Sequence, residues 1–212
     1  MKSPRLIIVA GVNGAGKSTL TARLTRRLGP DLGLLLDPDA IARALAPDDP
    51  SRGAIQAARF VLQAINRALE NGERFVVETT LSDRNRQLVL LERARSMGFK
   101  TWLFYIGLSD VSRHLARVGQ RVARGGHDIP DEDVVRRFTR SRANAIDAMR
   151  LADQTMLYAN HEDRTGTTRA SSSNLRSSNL EAKGKRRILA PRAPLKLQIP
   201  RSDPATADRI CS

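Results

Sequence analysis

Residues 11–19 read GVNGAGKST, and residues 5–10 before them read RLIIVA, a short apolar run with the character of a buried strand. Gly11, Gly16, Lys17 and Ser18 satisfy the pattern G-x-x-x-x-G-K-[ST], which is informative when a strand precedes it and a helix follows. Its glycines let the backbone curl, so that Asn13, Gly14, Ala15, Gly16, Lys17, Ser18 and Thr19 form a cradle of inward N–H groups. The helix N-terminus adds a favourable field for anions. Such a loop holds the phosphates of a nucleotide. Lys17 is expected to reach the β- and γ-phosphates and Ser18 to ligate a metal, which makes ATP and Mg²⁺ the expected cofactors. Whether the nucleotide is hydrolysed, sensed or used as a phosphoryl donor is decided elsewhere in the chain.

Working outward, short apolar runs alternate with helical patterns. GLLLD at 33–37, RFVVETT at 74–80, KTWLFYIGL at 100–108 and QTMLYAN at 154–160 follow the first strand, with helices expected at about 17–28, 54–70 and 84–97 between them. About five β-rich runs separated by helices describe an α/β fold, a P-loop NTPase-like parallel sheet covered on both faces. Ligands of such sheets sit at the carboxyl ends of the strands. Those ends are polar here: the glycine loop, then Asp37-Pro38-Asp39, then Glu78-Thr79-Thr80.

In phosphoryl transfer one carboxylate must accept the proton of the attacking hydroxyl. Pro38 stiffens the turn between Asp37 and Asp39, and either acid could serve while the other caps the helix that follows. Glu78 ends an apolar strand, where it can position a metal or the acceptor, or instead pair with an arginine. Thr79 and Thr80 add hydroxyls suited to a polar substrate.

The stretch RHLARVGQRVARGGHDIPDEDVVRRFTRS, residues 113–141, stacks Arg113, Arg117, Arg121 and Arg124 along one helical face. Like charges so placed repel one another, and nothing structural requires the row. Gly125-Gly126 interrupts the helix, His127 follows, and Pro130-Asp131 starts a second helix carrying Arg136, Arg137 and Arg140. Two arginine-bearing helices joined by glycines predict an arginine-rich helical lid over phosphate, since guanidinium groups suit the spread charge of the phosphoryl transition state. A solvated basic face or an RNA-binding patch is the alternative. Aromatic residues that would stack bases are scarce here, which argues against nucleic acid.

The chain has 212 residues and a net charge of +14, half of it in residues 163–212, which hold 11 Lys+Arg against 4 Asp+Glu. That stretch is rich in Ser, Thr, Pro and Arg and shows no sustained period, so it is expected to be a disordered basic C-terminal tail behind a 1–162 domain. A single cysteine, Cys211, excludes a disulfide framework or a cysteine metal cluster and fits a cytoplasmic protein. No run approaches the roughly 18 to 20 apolar residues of a membrane span, and the basic, apolar start leads into the phosphate loop in place of a cleavage site.

Taken in order, GVNGAGKST, DPDAIA, FVVETTLS, RVGQRVARGGHDIP and RRFTRSRAN resemble the zeta-toxin family of P-loop kinases over about residues 5 to 160. The loop is generic, whereas the RV..RV..GGH.IP segment is specific. The resemblance implies ATP-dependent phosphorylation of a hydroxyl on a small molecule, UDP-N-acetylglucosamine or a related nucleotide sugar. It implies Asp39 as the catalytic base and Lys17 as the phosphate-loop lysine. Glu78, Thr80 and His127 fall at the substrate, and Arg121 and Arg137 on the transferred phosphoryl group. It also brings an antitoxin protein into view as a partner. The competing expectation is an ATP-gated nucleic-acid-binding protein, or a kinase acting on a polynucleotide or a different metabolite.

Overall fold

The computed structural model describes residues 3–107, 110–123, 129–162 and 168–176. Its strands are β1 (Arg5–Ala10), β2 (Leu34–Leu36), β3 (Phe75–Thr79), β4 (Lys100–Gly107), β5 (Gln154–Glu162) and β6 (Thr168–Arg176). Between them run α1 (Lys17–Leu28), α2 (Pro38–Leu45), α3 (Pro50–Glu70), α4 (Arg84–Ser96), α5 (Val111–Val122) and α6 (Asp131–Leu151), with a short 3₁₀ turn at Gly29–Leu32. Every residue of β1 is buried, as a strand covered on both faces must be. The strand order is β2-β3-β1-β4-β5-β6, and the first five strands pair in parallel.

The chain departs from β1 toward β2 on one side and later toward β4 and β5 on the other. The carboxyl end of β1 is therefore the switch point of the sheet, where ligands bind in folds of this type. Register completes the placement: Val9 lies beside Glu78 and Ala10 beside Thr79, so the end of β3 stands next to the glycine loop.

On one face Leu6, Ile8, Phe75, Val77 and Leu103 meet Val61 and Ile65 of α3, Leu91 of α4 and Ala145, Ala148 and Met149 of α6. On the other, Ile7, Val9 and Phe104 meet Leu20, Leu24 and Leu28 of α1. The second half of α6 thus belongs to the main core. Its first half joins α5 in a smaller cluster of Val12, Val118, Ile129 and Val134, with Phe138 packed on it. The two arginine helices are therefore not a detached pair: one is anchored in the core, and both rest against the loop residue Val12.

The stretch expected to be disordered contributes β6, which pairs antiparallel with β5 from Gln154↔Arg176 to Glu162↔Thr168, so the sheet continues past residue 162. Small polar residues carry no apolar period to announce a strand, yet on an edge the ladder hydrogen bonds are still available to them. The rest of the tail, and Arg124, Gly125, Gly126 and His127, lie outside the described residues. Among the described residues no helix is long and apolar enough to cross a membrane.

Candidate phosphoryl-transfer site

The loop is shaped by its glycines. Gly16 has φ 101° and caps α1 without a side chain, which leaves the first-turn N–H groups of the helix directed to the loop's concave side. Gly14, at φ 77°, is pressed so closely on α5 that a Cβ there would lie 3.0 Å from the His114 carbonyl oxygen. Just before Gly14 the buried Asn13 is held twice: Arg137 donates to its Oδ1 at 3.0 Å, and its carbonyl oxygen is 2.8 Å from His114 Nδ1. A carbonyl can only accept, so His114 carries the proton on Nδ1. Burial lowers the His114 pKa, opposed by this bond and reinforced by Lys17 and Arg117, which keeps the ring neutral. At the loop's start the Gly11 N–H donates to the Thr79 carbonyl at 3.1 Å, joining the loop to β3.

Acids gather opposite. Asp37 accepts N–H donations from Asp39 at 3.0 Å and Ala40 at 3.2 Å, capping α2. This resolves the choice left open by the sequence: Asp37 is the cap. Asp39 stands one residue into the helix, exposed, with no side-chain hydrogen bond among the described residues. Glu78 is buried and accepts from the Ser18 hydroxyl at 3.2 Å. Desolvation raises its pKa, and so does Asp37, against the hydrogen bonds of Thr21 and Ser18 and the charge of Lys17. Desolvation lowers the Lys17 pKa, while Asp39, Glu78 and Asp37 pull it back up and Arg121 pushes it down. Two nearby carboxylates, one of them desolvated, and a serine hydroxyl are hard oxygen donors that suit Mg²⁺ held largely by phosphate. Among the described residues no group of three or more His, Cys, Asp or Glu forms a metal cage.

Two cavities meet at this cluster. The smaller, about 380 Å³, is lined by Asn13, Gly14, Gly16, Lys17, Ser18 and Thr19 of the loop and by Arg43, Arg117 and Arg121. The larger, about 410 Å³, takes in Thr79, Thr80, Ser82 and Arg137 and continues between α3 and α4. Lys17, Asp37, Asp39 and Glu78 line both. The fold therefore places Arg121 with the loop, and Arg137 and Thr80 with the larger cavity. Thr80 shares a 2.8 Å hydrogen bond with Ser82. Ala15 is buried under the loop and shapes it from within.

Sequence reasoning did not find the His114 contact, Arg43 as a lining residue or the extension between α3 and α4. His114 had a signal, since it lies at i−4 from Val118 on the apolar side of an otherwise basic helix. Arg43 had none.

Comparison with known proteins bears on the fold that carries this site. A family model described as an AAA domain matches residues 6–145. An uncharacterised Haemophilus influenzae protein is 34% identical over 135 residues, covering 63% of this chain and 92% of that one. Among solved structures, the AvrRxo1-ORF1:AvrRxo1-ORF2 complex with ATP superposes with a TM-score of 0.61 at 18% identity, over 99% of this chain and 75% of that one. The PezAT chromosomal toxin-antitoxin system of Streptococcus pneumoniae gives 0.53 at 14% identity, over 79% and 70%. These likenesses are of fold, a P-loop kinase-like fold. The chain belongs to the AAA domain family matched at residues 6–145.

Proposed function

From that membership and the paired cavities, we propose that the chain is an ATP-dependent kinase that transfers the γ-phosphoryl group to a hydroxyl of a small molecule. The observation that carries this reading is the sharing of Lys17, Asp37, Asp39 and Glu78 between a phosphate-loop cavity and a second cavity large enough for an acceptor. A nucleotide switch needs the first cavity alone, whereas a group transfer needs two that meet at the reacting atom.

In this reading the loop N–H groups and the α1 N-terminus hold the β- and γ-phosphates, and Lys17 offsets their charge. The acceptor hydroxyl enters from the larger cavity beside Asp39. Its oxygen attacks the γ-phosphorus as the bond to the β–γ bridging oxygen breaks, its proton passes to Asp39, and ADP leaves. Asp39 suits this because Asp37 has taken the capping duty, and among the described residues no hydrogen bond occupies the Asp39 carboxylate. Arg121, with Arg117 beside it, faces the same cavity as Lys17 and balances charge on the transferring oxygens. Arg137 holds the loop through Asn13 from the acceptor side. Ser18, with Glu78 and Asp37 behind it, would hold Mg²⁺, which supplies charge neutralisation at the phosphates.

The finer assignments rest on the sequence resemblance: the zeta-toxin family, a nucleotide sugar such as UDP-N-acetylglucosamine as acceptor, Thr80 and His127 at that acceptor, and an antitoxin-type partner. An ATP-consuming enzyme of this kind would work in the cytoplasm. Incubation with γ-labelled ATP and a panel of UDP-sugars, for wild type and Asp39→Asn, tests the reading. Label on a sugar nucleotide in wild type alone supports it. Label moving only to water, equally in both proteins, overturns it.

A further inference from the structure

The larger cavity extends well past the reacting hydroxyl. α3 and α4 both descend from the carboxyl edge of the sheet, and each turns a helical stripe toward the other: Ala58, Leu62, Ile65 and Leu69 on α3, and Arg86, Gln87, Leu90 and Arg93 on α4. At 1.5 Å per residue the α3 stripe is about 16 Å long, and Arg93 lies about 10 Å beyond Arg86. The cavity is therefore a trench that begins at Lys17 and Asp39 and ends near Asn66, Leu69 and Arg93.

Its lining has two kinds of chemistry. Val61, Leu62, Ile65 and Leu90 make an aliphatic wall. Sugar hydroxyls set against such a wall lose water and gain no partner, whereas a flat ring or hydrocarbon chain gains by burial. The polar groups come from α4. Arg93 donates to Asn66 Oδ1 at 2.6 Å, and among the described residues neither it nor Arg86 is paired with a carboxylate. Gln87 is 7% exposed, and among the described residues its Oε1 has no hydrogen-bond partner. Buried acceptors are rarely left so. The terminal torsion of glutamine is soft, so a small rotation presents the amide oxygen to a donor in the trench.

We propose that this trench is the acceptor subsite and that it takes an elongated amphipathic anion. Its hydroxyl lies at Asp39, its flat or aliphatic body runs along Leu62, Ile65 and Leu90, an N–H or O–H of that body meets Gln87, and its carboxylate or phosphate ends at Arg93 and Asn66. This rests on the kinase reading, because only a transferase gives the trench an acceptor to hold. A bare polyol phosphate would satisfy the ends and leave the wall unfilled.

Titration calorimetry tests the proposal with the phosphate loop already filled by Mg²⁺ and β,γ-imido-ATP. The probes are uridine 5′-monophosphate and 3-(4-hydroxyphenyl)propionate as amphipathic anions, uridine without the anion, and glucose 6-phosphate without the flat body. At least one amphipathic anion should bind saturably, with uridine and glucose 6-phosphate about tenfold weaker or more. Arg93→Ala should weaken it about tenfold. Leu62→Glu, at a half-exposed helical site that keeps the fold, should do the same by setting a carboxylate in the anion's path. Glucose 6-phosphate binding as tightly as both anions, failure of both anions to bind, or indifference to both substitutions would each overturn the trench. Saturable trench binding without transfer from ATP to any acceptor would instead refute the kinase reading and leave the trench as a ligand site.

Discussion

Asp37 and Asp39 lie two residues apart, yet replacing Asp37 should show in stability, where replacing Asp39 should not. Asp37 accepts two backbone N–H groups at 3.0 and 3.2 Å at the start of an eight-residue helix. Loss of an Asp cap costs about 1 kcal/mol, and with two donors stranded the upper part of the range, about 1.5 kcal/mol, is the better figure. For a chain of this size that lowers the melting temperature by roughly 3 to 6 °C. Asp39→Asn removes no hydrogen bond among the described residues and leaves Glu78 and Asp37 to balance Lys17, so its effect on stability should stay below that of Asp37→Ala, within about 1 kcal/mol. Its effect on phosphoryl transfer should be a loss of about 10² to 10⁴ in kcat, the scale of a missing general base. Differential scanning fluorimetry and a coupled ADP-release assay with acceptor present, run on Asp37→Ala and Asp39→Asn, read both quantities. An Asp39→Asn protein that melts several degrees lower with activity preserved would refute the division of labour between these two acids.

Two other outcomes follow from the loop. Gly14→Ala should weaken ATP binding severalfold in calorimetry, because the residue sits at φ 77° and its Cβ would meet the His114 carbonyl at 3.0 Å. His114 has its pKa lowered by burial, so the fold favours the neutral ring. The unfolded chain takes up the proton near 6.5 while the folded one does so only at lower pH. Stability contributed by His114 is therefore present above pH 6.5 and lost as the pH falls through the folded value. Urea unfolding at pH 7.5 and 5.5 should show this loss in wild type and a smaller one in His114→Gln.

Much of this was legible in the sequence, and the reasons differ by element. The glycine loop was readable because its chemistry needs particular residues at fixed spacing, and β1, β3 and β4 because strands buried on both faces are unbroken apolar runs. β6 was not, since an edge strand of serine, threonine and asparagine is held by backbone pairing that leaves no periodic trace. The role of Asp37 was undecidable from spacing alone, because a cap depends on which acid's backbone is still extended when the helix begins: Asp37 has φ −106° and ψ 103°. The arginine row suggested a lid, but a helical pattern says nothing of what a helix packs against, and the second half of α6 is core. The trench was invisible because it is made by two helices that face each other across a gap, and sequence shows each stripe without its partner.

The central claim is that donor and acceptor meet at Asp39, and the most direct measurement is mass spectrometry of a hydroxylated-metabolite pool incubated with ATP, Mg²⁺ and either wild type or Asp39→Asn. In the predicted result one metabolite gains the mass of a single phosphoryl group with wild type and not with the variant, in step with ADP formed. Equal conversion of ATP to ADP and inorganic phosphate by both proteins, with no metabolite gaining mass, would contradict it.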